Sequence, residues 1–148
     1  MAAATVPLGF LAASQGWVDR RWVLVGVSAL PPALATLVAA WRESQSEPAA
    51  TPGKRWQELS VGRAGGGTPS LPRALLRNAV KIGIPWQLGH VAAMGAAYGG
   101  FEQRDAPTYA STMLVYPLII AMIVVVVFGR GLGLHDRVTG TWVDSGRW

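Results

Sequence analysis

The sequence predicts an all-α integral membrane protein with three transmembrane helices, a basic cytoplasmic loop and a short interfacial helix. Of its 148 residues, 51% are hydrophobic and 14% are charged, whereas an ordinary soluble domain carries about 25% charged residues. The length allows a single domain, and the apolar residues form three uncharged blocks without an amphipathic period. A net charge of +5 is compatible with nucleic-acid binding. Basic loops are also usual on the cytoplasmic side of membrane proteins, so we expect no nucleic-acid partner.

The first predicted span covers residues 22–41, which contain no charged side chain. At 1.5 Å per residue, this stretch reaches about 30 Å, the thickness of the hydrocarbon core. Trp22 and Trp41 at its ends are typical of the two membrane interfaces. Pro31 and Pro32 lie in its middle. Because proline removes backbone hydrogen bonds, we expect a kink or break there and a neighbouring helix that packs against it.

Two further spans are predicted at residues 82–101 and 110–129. The block from 82 to 101 is uncharged but rich in glycine and alanine, and it is the least hydrophobic of the three. The third span is the most hydrophobic and contains the run LIIAMIVVVVF. Each block is long enough to cross a bilayer, so residues 102–109 are expected to form a short external loop.

The distribution of Lys and Arg predicts the orientation of the chain. Residues 42–81 and 130–148 together carry ten of the thirteen Lys and Arg side chains. The remaining three are Arg20, Arg21 and Arg104. Because basic residues are enriched in cytoplasmic segments, we expect the loop 42–71 and the C-terminal tail inside and the N-terminal segment 1–21 outside. No cleavable signal peptide is expected, because no basic region precedes the first apolar stretch.

The loop 42–71 is rich in proline and glycine, so we expect no long helix there and predict one short strand near residues 56–63. Residues 72–81 then have the pattern of a short helix that leads into the second span. Three basic residues recur every fourth position along one face of this helix: Arg73, Arg77 and Lys81. We expect this face to bind anionic lipid headgroups, although a merely solvated face explains the same spacing.

One ionisable residue, His90, lies near the middle of the second span, with Gln87 one helical turn before it. Ionisable groups inside a bilayer are rare and often functional, which favours a relay for protons or cations. A neutral histidine hydrogen-bonded to a neighbouring helix is an equally good interpretation. Ser28 and His90 also allow a more remote hypothesis, a Ser/His dyad for proteolysis within the membrane. Three spans leave little room for an active site and no span carries paired carboxylates, so we expect no enzymatic activity.

Asp136 follows the third span and lies on the same predicted side of the membrane as the loop. We expect a structural role for it, either in a salt bridge or as a cap of a turn. Its candidate partners are Lys54, Arg55, Arg137 and Thr139. His135 and Asp136 are neighbours that should diverge on a helix, and no third ligand follows at metal spacing. Because the chain also has no cysteine, we expect no metal, no cofactor and no thiol chemistry.

Three segments together are similar to one known family: TPGKR at 51–55, LPRALLRNAVKIGIPWQLGH at 71–90 and LHDRVTGTWV at 134–143. In this order they resemble the RDD family of small multi-span bacterial membrane proteins, and the middle segment resembles its actinobacterial members. The family is named for one arginine and two aspartates, of which the C-terminal aspartate corresponds to Asp136. The motif positions are Thr51, Pro52, Gly53, Lys54, Arg55, Arg73, Arg77, His135, Asp136, Gly140 and Thr141.

The resemblance implies a register for the spans and a range of functions. The family usually has a further helix before the one that leads into TPGKR, so the span 22–41 resembles the second family helix. Transport has been suggested for the family, and cation/proton antiport has been attributed to some of its members. One hypothesis is therefore a transport-associated protein of the bacterial cytoplasmic membrane that acts on cations, protons or a small solute.

The other hypothesis is a non-catalytic scaffold or accessory subunit that binds anionic lipid or a protein partner through its basic loop. Three spans enclose little space by themselves. For either function we therefore expect a homo-oligomer or a partner membrane protein.

Overall fold

The structure is a computed structural model that describes residues 11–45 apart from Ala12, residues 49–129 and residues 132–145. Expectations for the first ten residues and the last three lie outside this part of the chain. The described residues group into two compact units. The first unit contains the described residues up to Leu34 together with Gly83–Ile120, and the second contains Ala35–Ile82 with the described residues from Ala121 onward.

The first predicted span forms two consecutive helices, α1 (Arg21–Ser28) and α2 (Leu30–Ser44), which meet at Ala29. The break that the prolines predict is confirmed. Pro31 and Pro32 lie in the first turn of α2, where a missing N–H costs no helical hydrogen bond. Backbone hydrogen bonds continue across the junction. Together the two helices form a candidate membrane span of 24 residues.

The chain after α2 contains a five-residue helix, α3 (Pro52–Trp56), and a strand, β1 (Leu59–Arg63). Strand β1 lies within the range 56–63, where the sequence predicts a strand. It runs antiparallel to a second strand, β2 (Thr141–Ser145), in the C-terminal tail. The sequence does not predict β2, because so short a strand is stabilised by its partner and not by its own pattern.

The region of the second predicted span is helical but irregular. Helix α4 (Leu71–Asn78) passes through a π-helical turn (Ala79–Gly83) into α5 (Ile84–Ala97). Pro85 has no N–H to donate, so the regular hydrogen-bond pattern is interrupted at the π turn. The chain leaves the helix at Gly99, whose φ of 71° is left-handed. Helix α5 has 14 residues and a length of about 21 Å, so a span over residues 82–101 is not confirmed by α5 alone and stays a prediction.

The third predicted span is found as helix α6 (Ala106–Phe128), whose 23 residues extend over about 35 Å. Most of its apolar side chains, including Met113 and Phe128, are exposed. Within the described residues there are two candidate membrane spans, namely α1 with α2, and α6. A short helix, α7 (Leu134–Thr139), follows, and Gly140 ends it with a left-handed φ of 60° before β2 begins.

Each unit has a small core of its own. In the first unit α1 packs against α5. Gly95 of α5 lies so close to Thr108 of α6 that a Cβ at this glycine would overlap the threonine side chain. In the second unit α4 packs against α7, and α3 packs against β1. The second unit also buries several charged and polar side chains, which therefore need partners inside the protein.

Candidate functional site

Four charged side chains in the second unit form a buried group that we call the charge cluster. It consists of Glu43, Lys54, Arg77 and Asp136. Helices α2, α3, α4 and α7 each supply one of them, so the cluster joins four separate segments of the chain. The side chain of Lys54 is 13% exposed, and the other three are at most 5% exposed. An unpaired charge at this depth is strongly unfavourable, so the stability of the unit depends on how the four are paired.

Glu43, near the C-terminal end of α2, accepts three hydrogen bonds. Its Oε2 accepts from Arg77 Nη1 at 2.9 Å and from Asn78 Nδ2 at 2.8 Å. Its Oε1 accepts from Lys54 Nζ. Asn78 also donates to the carbonyl of Ala74 at 2.9 Å, which fixes the orientation of its amide. The carboxylate of Glu43 therefore holds α3 and α4 to the end of α2.

Asp136, in the first turn of α7, holds Arg77 from the other side. Arg77 Nε and Nη2 lie 2.9 Å and 2.8 Å from Asp136 Oδ1. The hydroxyl of Thr141 donates to the same oxygen at 3.0 Å. The backbone N–H of Gly133 donates to Oδ2 at 3.3 Å, so Asp136 also satisfies the start of its own helix. Arg77 thus bridges two carboxylates that are far apart in the sequence.

The cluster is electrically balanced, with two carboxylates and two cations. Burial by itself would raise the pKa of Asp136, but the charge of Arg77 and the hydrogen bonds from Arg77 and Thr141 together hold this pKa below its ordinary value. Burial, together with the charge of Arg77, lowers the pKa of Lys54. Burial also lowers the pKa of His135, which lies beside Asp136, to about 4. The imidazole is therefore neutral at pH 7 and leaves the balance of charges unchanged.

The cluster corrects the predicted role of Arg77. Its guanidinium lies between Glu43 and Asp136, so it is not available to lipid headgroups on an exposed basic face. Arg73 and Lys81, the other two members of that predicted face, are exposed. Asp136 pairs with Arg77, which was not among its predicted partners. Those predicted partners were Lys54, Arg55, Arg137 and Thr139.

The prediction that His135 and Asp136 diverge is wrong. His135 Nε2 lies 3.3 Å from Asp136 Oδ2. A Cβ at Gly133 would meet the imidazole ring, so glycine at this position leaves room for the histidine to turn back toward the carboxylate. Among the residues that the structure describes, no group of three His, Cys, Asp or Glu side chains is placed to hold a metal ion.

Several motif positions shape the backbone around the cluster. Pro52 begins the short helix that carries Lys54. Gly140 adopts the left-handed conformation after α7. This turn lets the hydroxyl of Thr141 reach Asp136. The three segments that resemble the RDD family therefore meet in one place, since they supply Lys54, Arg77 and Asp136.

Sequence reasoning missed Glu43 and Asn78. Glu43 lies outside the three segments that resemble the family and is separated from Arg77 by 34 residues. Asn78 lies within the segment 71–90 but is not one of its predicted motif positions. The one signal for Glu43 is its place two residues after the uncharged block 22–41, at a depth where a carboxylate needs a partner.

A second ion pair, also missed from the sequence, lies in the first unit. Arg21 Nη2 at the start of α1 is 2.7 Å from Asp105 Oδ2 and donates to Thr108 Oγ1 at 2.9 Å. Asp105 also accepts from the backbone N–H of Thr108 at 3.0 Å and so caps α6. Hydrogen bonds from Arg21 and Thr108 lower the pKa of Asp105. The pair ties the start of α1 to the start of α6.

The polar residues predicted for the second span lie on α5, in the first unit. Gln87 Nε2 donates to the carbonyl of Val25 at 3.4 Å. Gln87 Oε1 and Trp86 Nε1 are buried and have no hydrogen-bond partner within the described part of the chain. His90, one turn further along α5, is partly buried. The hydroxyl of Ser28 donates to the carbonyl of Val25 at 2.7 Å, so its proton is directed to a carbonyl oxygen and not to a histidine base.

The charge cluster is better suited to joining segments than to binding a further cation. Each of its carboxylates already accepts hydrogen bonds from a cationic side chain. An added cation would have to displace Arg77 or Lys54 and leave that side chain buried without a partner, which is costly. The arrangement therefore points to a structural role in which four segments are held at the end of a membrane span.

A comparison with known protein families finds the same family that the three segments meeting in the cluster resemble. The family model described as the RDD family matches residues 1–140, a range that includes all four cluster residues. No curated protein and no solved structure matches the chain.

Proposed function

Because the chain belongs to the RDD family and its apolar helices fit a membrane protein, we propose that it is a membrane scaffold or accessory protein. It binds acidic groups through a basic surface on the second unit and catalyses no reaction. This basic surface consists of the exposed side chains of Arg55, Arg63, Arg73 and Lys81.

The pairing inside the charge cluster is the observation that supports this proposal. Glu43 and Asp136 neutralise Lys54 and Arg77 within the unit. The four cations of the basic surface remain outside the cluster, and Glu58 is the only acidic residue in the stretch 49–82. The unit therefore presents excess positive charge, which attracts anionic groups at a membrane surface.

The distribution of Lys and Arg supports a position on the cytoplasmic side of a bacterial cell membrane. In this orientation the C-terminus is inside and the N-terminus is outside. The partners of the basic surface are anionic lipid headgroups or an acidic protein, and we expect either a homo-oligomer or a partner membrane protein. The cytoplasmic leaflet is rich in anionic lipid, so the basic surface meets opposite charge there.

Retention of phosphatidylglycerol by the purified protein tests the proposal. We expect the double variant Arg55→Gln/Arg73→Gln to lose about 2 kcal/mol of binding free energy, because each cation at an anionic surface contributes about 1 kcal/mol. The measurement is native mass spectrometry of the full chain in detergent with phosphatidylglycerol added, at low and high salt. The matched control is Arg20→Gln/Arg104→Gln, which removes two exposed cations of the first unit. Equal loss in both double variants contradicts the proposal.

A cation- or proton-coupled transport function is the second candidate, and one specific observation favours it. Gln87 Oε1 and Trp86 Nε1 are buried on α5, one turn from His90, and have no hydrogen-bond partner among the residues that the structure describes. Unsatisfied polar groups on an apolar helix are costly unless water, an ion or another helix reaches them. A path for protons or small cations along α5 would give them such partners.

Proteoliposomes that contain a pH-sensitive dye separate the two candidates. Transport predicts cation-dependent proton flux that decreases in His90→Ala and in Asp136→Asn. The scaffold proposal predicts no such flux in well-folded protein, with phosphatidylglycerol retained. Flux that depends on His90 would overturn the scaffold proposal.

A further inference from the structure

Helix α4 exposes its three leucines and buries two of its three polar side chains. Arg77 and Asn78 are fully buried, together with Ala74, where the helix packs against α7. Leu71, Leu75 and Leu76, which we call the leucine face, are between 38% and 50% exposed. A helix surrounded by water normally has the opposite arrangement, with leucines inside and charges outside. The leucine face therefore requires an apolar neighbour outside the unit.

The contacts of α4 place it at the end of a membrane span. Arg77 and Asn78 both donate to Glu43, which lies one residue before the end of the candidate span Arg21–Ser44. In the same turn of α2, Arg42 stacks over the half-exposed ring of Trp41, 5.1 Å from its centroid. Tryptophan and arginine side by side are typical of the interface between headgroups and hydrocarbon. Helix α4 is thus held at interfacial depth.

Exposed basic and aromatic side chains on α3 and α4 fit an anionic bilayer. Arg73 is exposed on α4 itself. Trp56 is 90% exposed at the end of α3, next to exposed Arg55. Helix α3 is also held at the end of the span, because Lys54 donates to Glu43. Because α3 and α4 both bond to Glu43, exposed leucines, cations and an indole ring are all held at the end of the same span, a combination that suits a surface of anionic lipid.

We infer that the leucine face inserts at the boundary between headgroups and acyl chains of an anionic bilayer, with Arg73 and Trp56 at headgroup level. The inference rests on the proposed function and deepens it, because it names lipid as the acidic partner and α4 as the element that enters it. This orientation of α4 is opposite to the one that the spacing of the basic residues predicts. The face that carries Arg77 is turned toward the protein, and the leucine face is turned toward the lipid.

The absence of cysteine from the chain makes the test direct. Leu76→Cys and Leu75→Cys are labelled with the fluorophore NBD in the full chain. Each labelled protein is reconstituted into vesicles of phosphatidylcholine with phosphatidylglycerol. Quenching by acyl-chain doxyl lipids is compared with quenching by aqueous iodide. The matched control is Asp144→Cys, at an exposed position on β2.

We expect both leucine positions to show blue-shifted emission, strong quenching by doxyl lipid and weak quenching by iodide, and Asp144→Cys to show the reverse. Iodide quenching at positions 75 and 76 equal to that at 144 overturns the insertion, while retention of phosphatidylglycerol would still support the basic surface. Insertion that is equally deep in pure phosphatidylcholine overturns the requirement for anionic lipid. If the leucine face inserts but Arg55→Gln/Arg73→Gln retains as much phosphatidylglycerol as the unmodified protein, the proposed function is wrong. The insertion of α4 then stands by itself.

Discussion

Arg77 is the residue on which the second unit depends most. Its guanidinium donates to Glu43 on one side and to Asp136 on the other, and its side chain is fully buried. Replacing a whole buried ion network by apolar groups is often tolerated, but removing one partner leaves charges without compensation. Loss of Arg77 would leave two buried carboxylates with Lys54 as the one remaining cation of the cluster.

We therefore expect Arg77→Ala to lower the free energy of unfolding by about 3–5 kcal/mol. The measurement is equilibrium unfolding of the purified protein in mixed detergent micelles. Arg73→Ala is the matched control, because Arg73 lies on the same helix and is exposed. A change of about 0.5 kcal/mol or less is expected there. Similar losses in the two variants would show that the ion pairs of Arg77 do not stabilise the fold.

His135 gives the protein a pH-dependent stability. Burial lowers its pKa from 6.5 to about 4. Between these values the unfolded chain binds a proton that the folded protein does not. Stability therefore rises with pH through this window and is lost as the pH falls from 6.5 toward 4. The full window corresponds to about 3 kcal/mol.

We expect His135→Gln to remove most of the difference in unfolding free energy between pH 7 and pH 5, as measured by urea unfolding of both proteins. Asp136 does not produce this difference. Its lowered pKa makes its own contribution disappear only below the ordinary carboxyl range. If His135→Gln keeps the pH dependence of the wild-type protein, a group other than His135 causes the loss of stability at low pH.

At the residue scale, the sequence predicts most members of the cluster but not their pairing. Lys54, Arg77 and Asp136 all lie in the segments that resemble the RDD family. Helical spacing alone assigned Arg77 to the face of Arg73 and Lys81, because periodicity does not distinguish a face that meets lipid from one that meets a carboxylate. The deciding residue is Glu43, which is brought to Arg77 only by tertiary contact.

At the scale of elements, close contact between helices depends on single small residues. Gly95 lets α5 approach Thr108 of α6, and Thr108 is fully buried. Gly26 of α1 has open space where a Cβ would be. The two helical glycines therefore differ in what an added methyl group would meet.

We expect Gly95→Ala to destabilise the first unit by about 1–3 kcal/mol, because the methyl group overpacks the contact with Thr108. The gain in helix propensity, at most about 1 kcal/mol, offsets this only in part. Gly26→Ala should leave stability unchanged or raise it by up to about 1 kcal/mol. Thermal unfolding of both variants in detergent checks the pair of expectations. No loss at Gly95 would mean that α5 and α6 can separate without cost.

The elements that the sequence predicts well are those with strong local causes. Pro31 and Pro32 break the first span as expected, and β1 lies where the turn-rich loop allows a strand. The π turn before Pro85 and the short length of α5 are not evident from hydropathy, which reports the apolar character of a block and not its backbone hydrogen bonds. Strand β2 depends on β1, with Gly62 opposite Trp142, and such pairing leaves little trace in the tail itself.

At the scale of the whole molecule, the placement of basic residues predicts which segments share a side of the membrane. The segments around Gln57 and Gln103 are predicted to lie on opposite sides, with Gln57 inside. Both residues are exposed, and the chain has no cysteine of its own.

We expect Gln103→Cys to react with a membrane-impermeant thiol reagent in intact cells, and Gln57→Cys to react only after the cells are opened, because cytoplasmic segments hold most of the basic residues. Labelling is read by a mass shift on a gel. The reverse pattern of labelling would show that the chain has the opposite orientation in the membrane. Reaction of both positions under the same conditions would exclude an odd number of crossings between them.

The distance in sequence between the members of the charge cluster sets an order of assembly during synthesis. Arg77 and Asp136 are 59 residues apart, which a ribosome adds in about 3–12 s. During that interval Glu43 alone faces the two cations Lys54 and Arg77, so the nascent unit carries an uncompensated positive charge. The carboxylate that balances it arrives only after α6 has been made. Completion of the second unit therefore requires that translation has continued past α6.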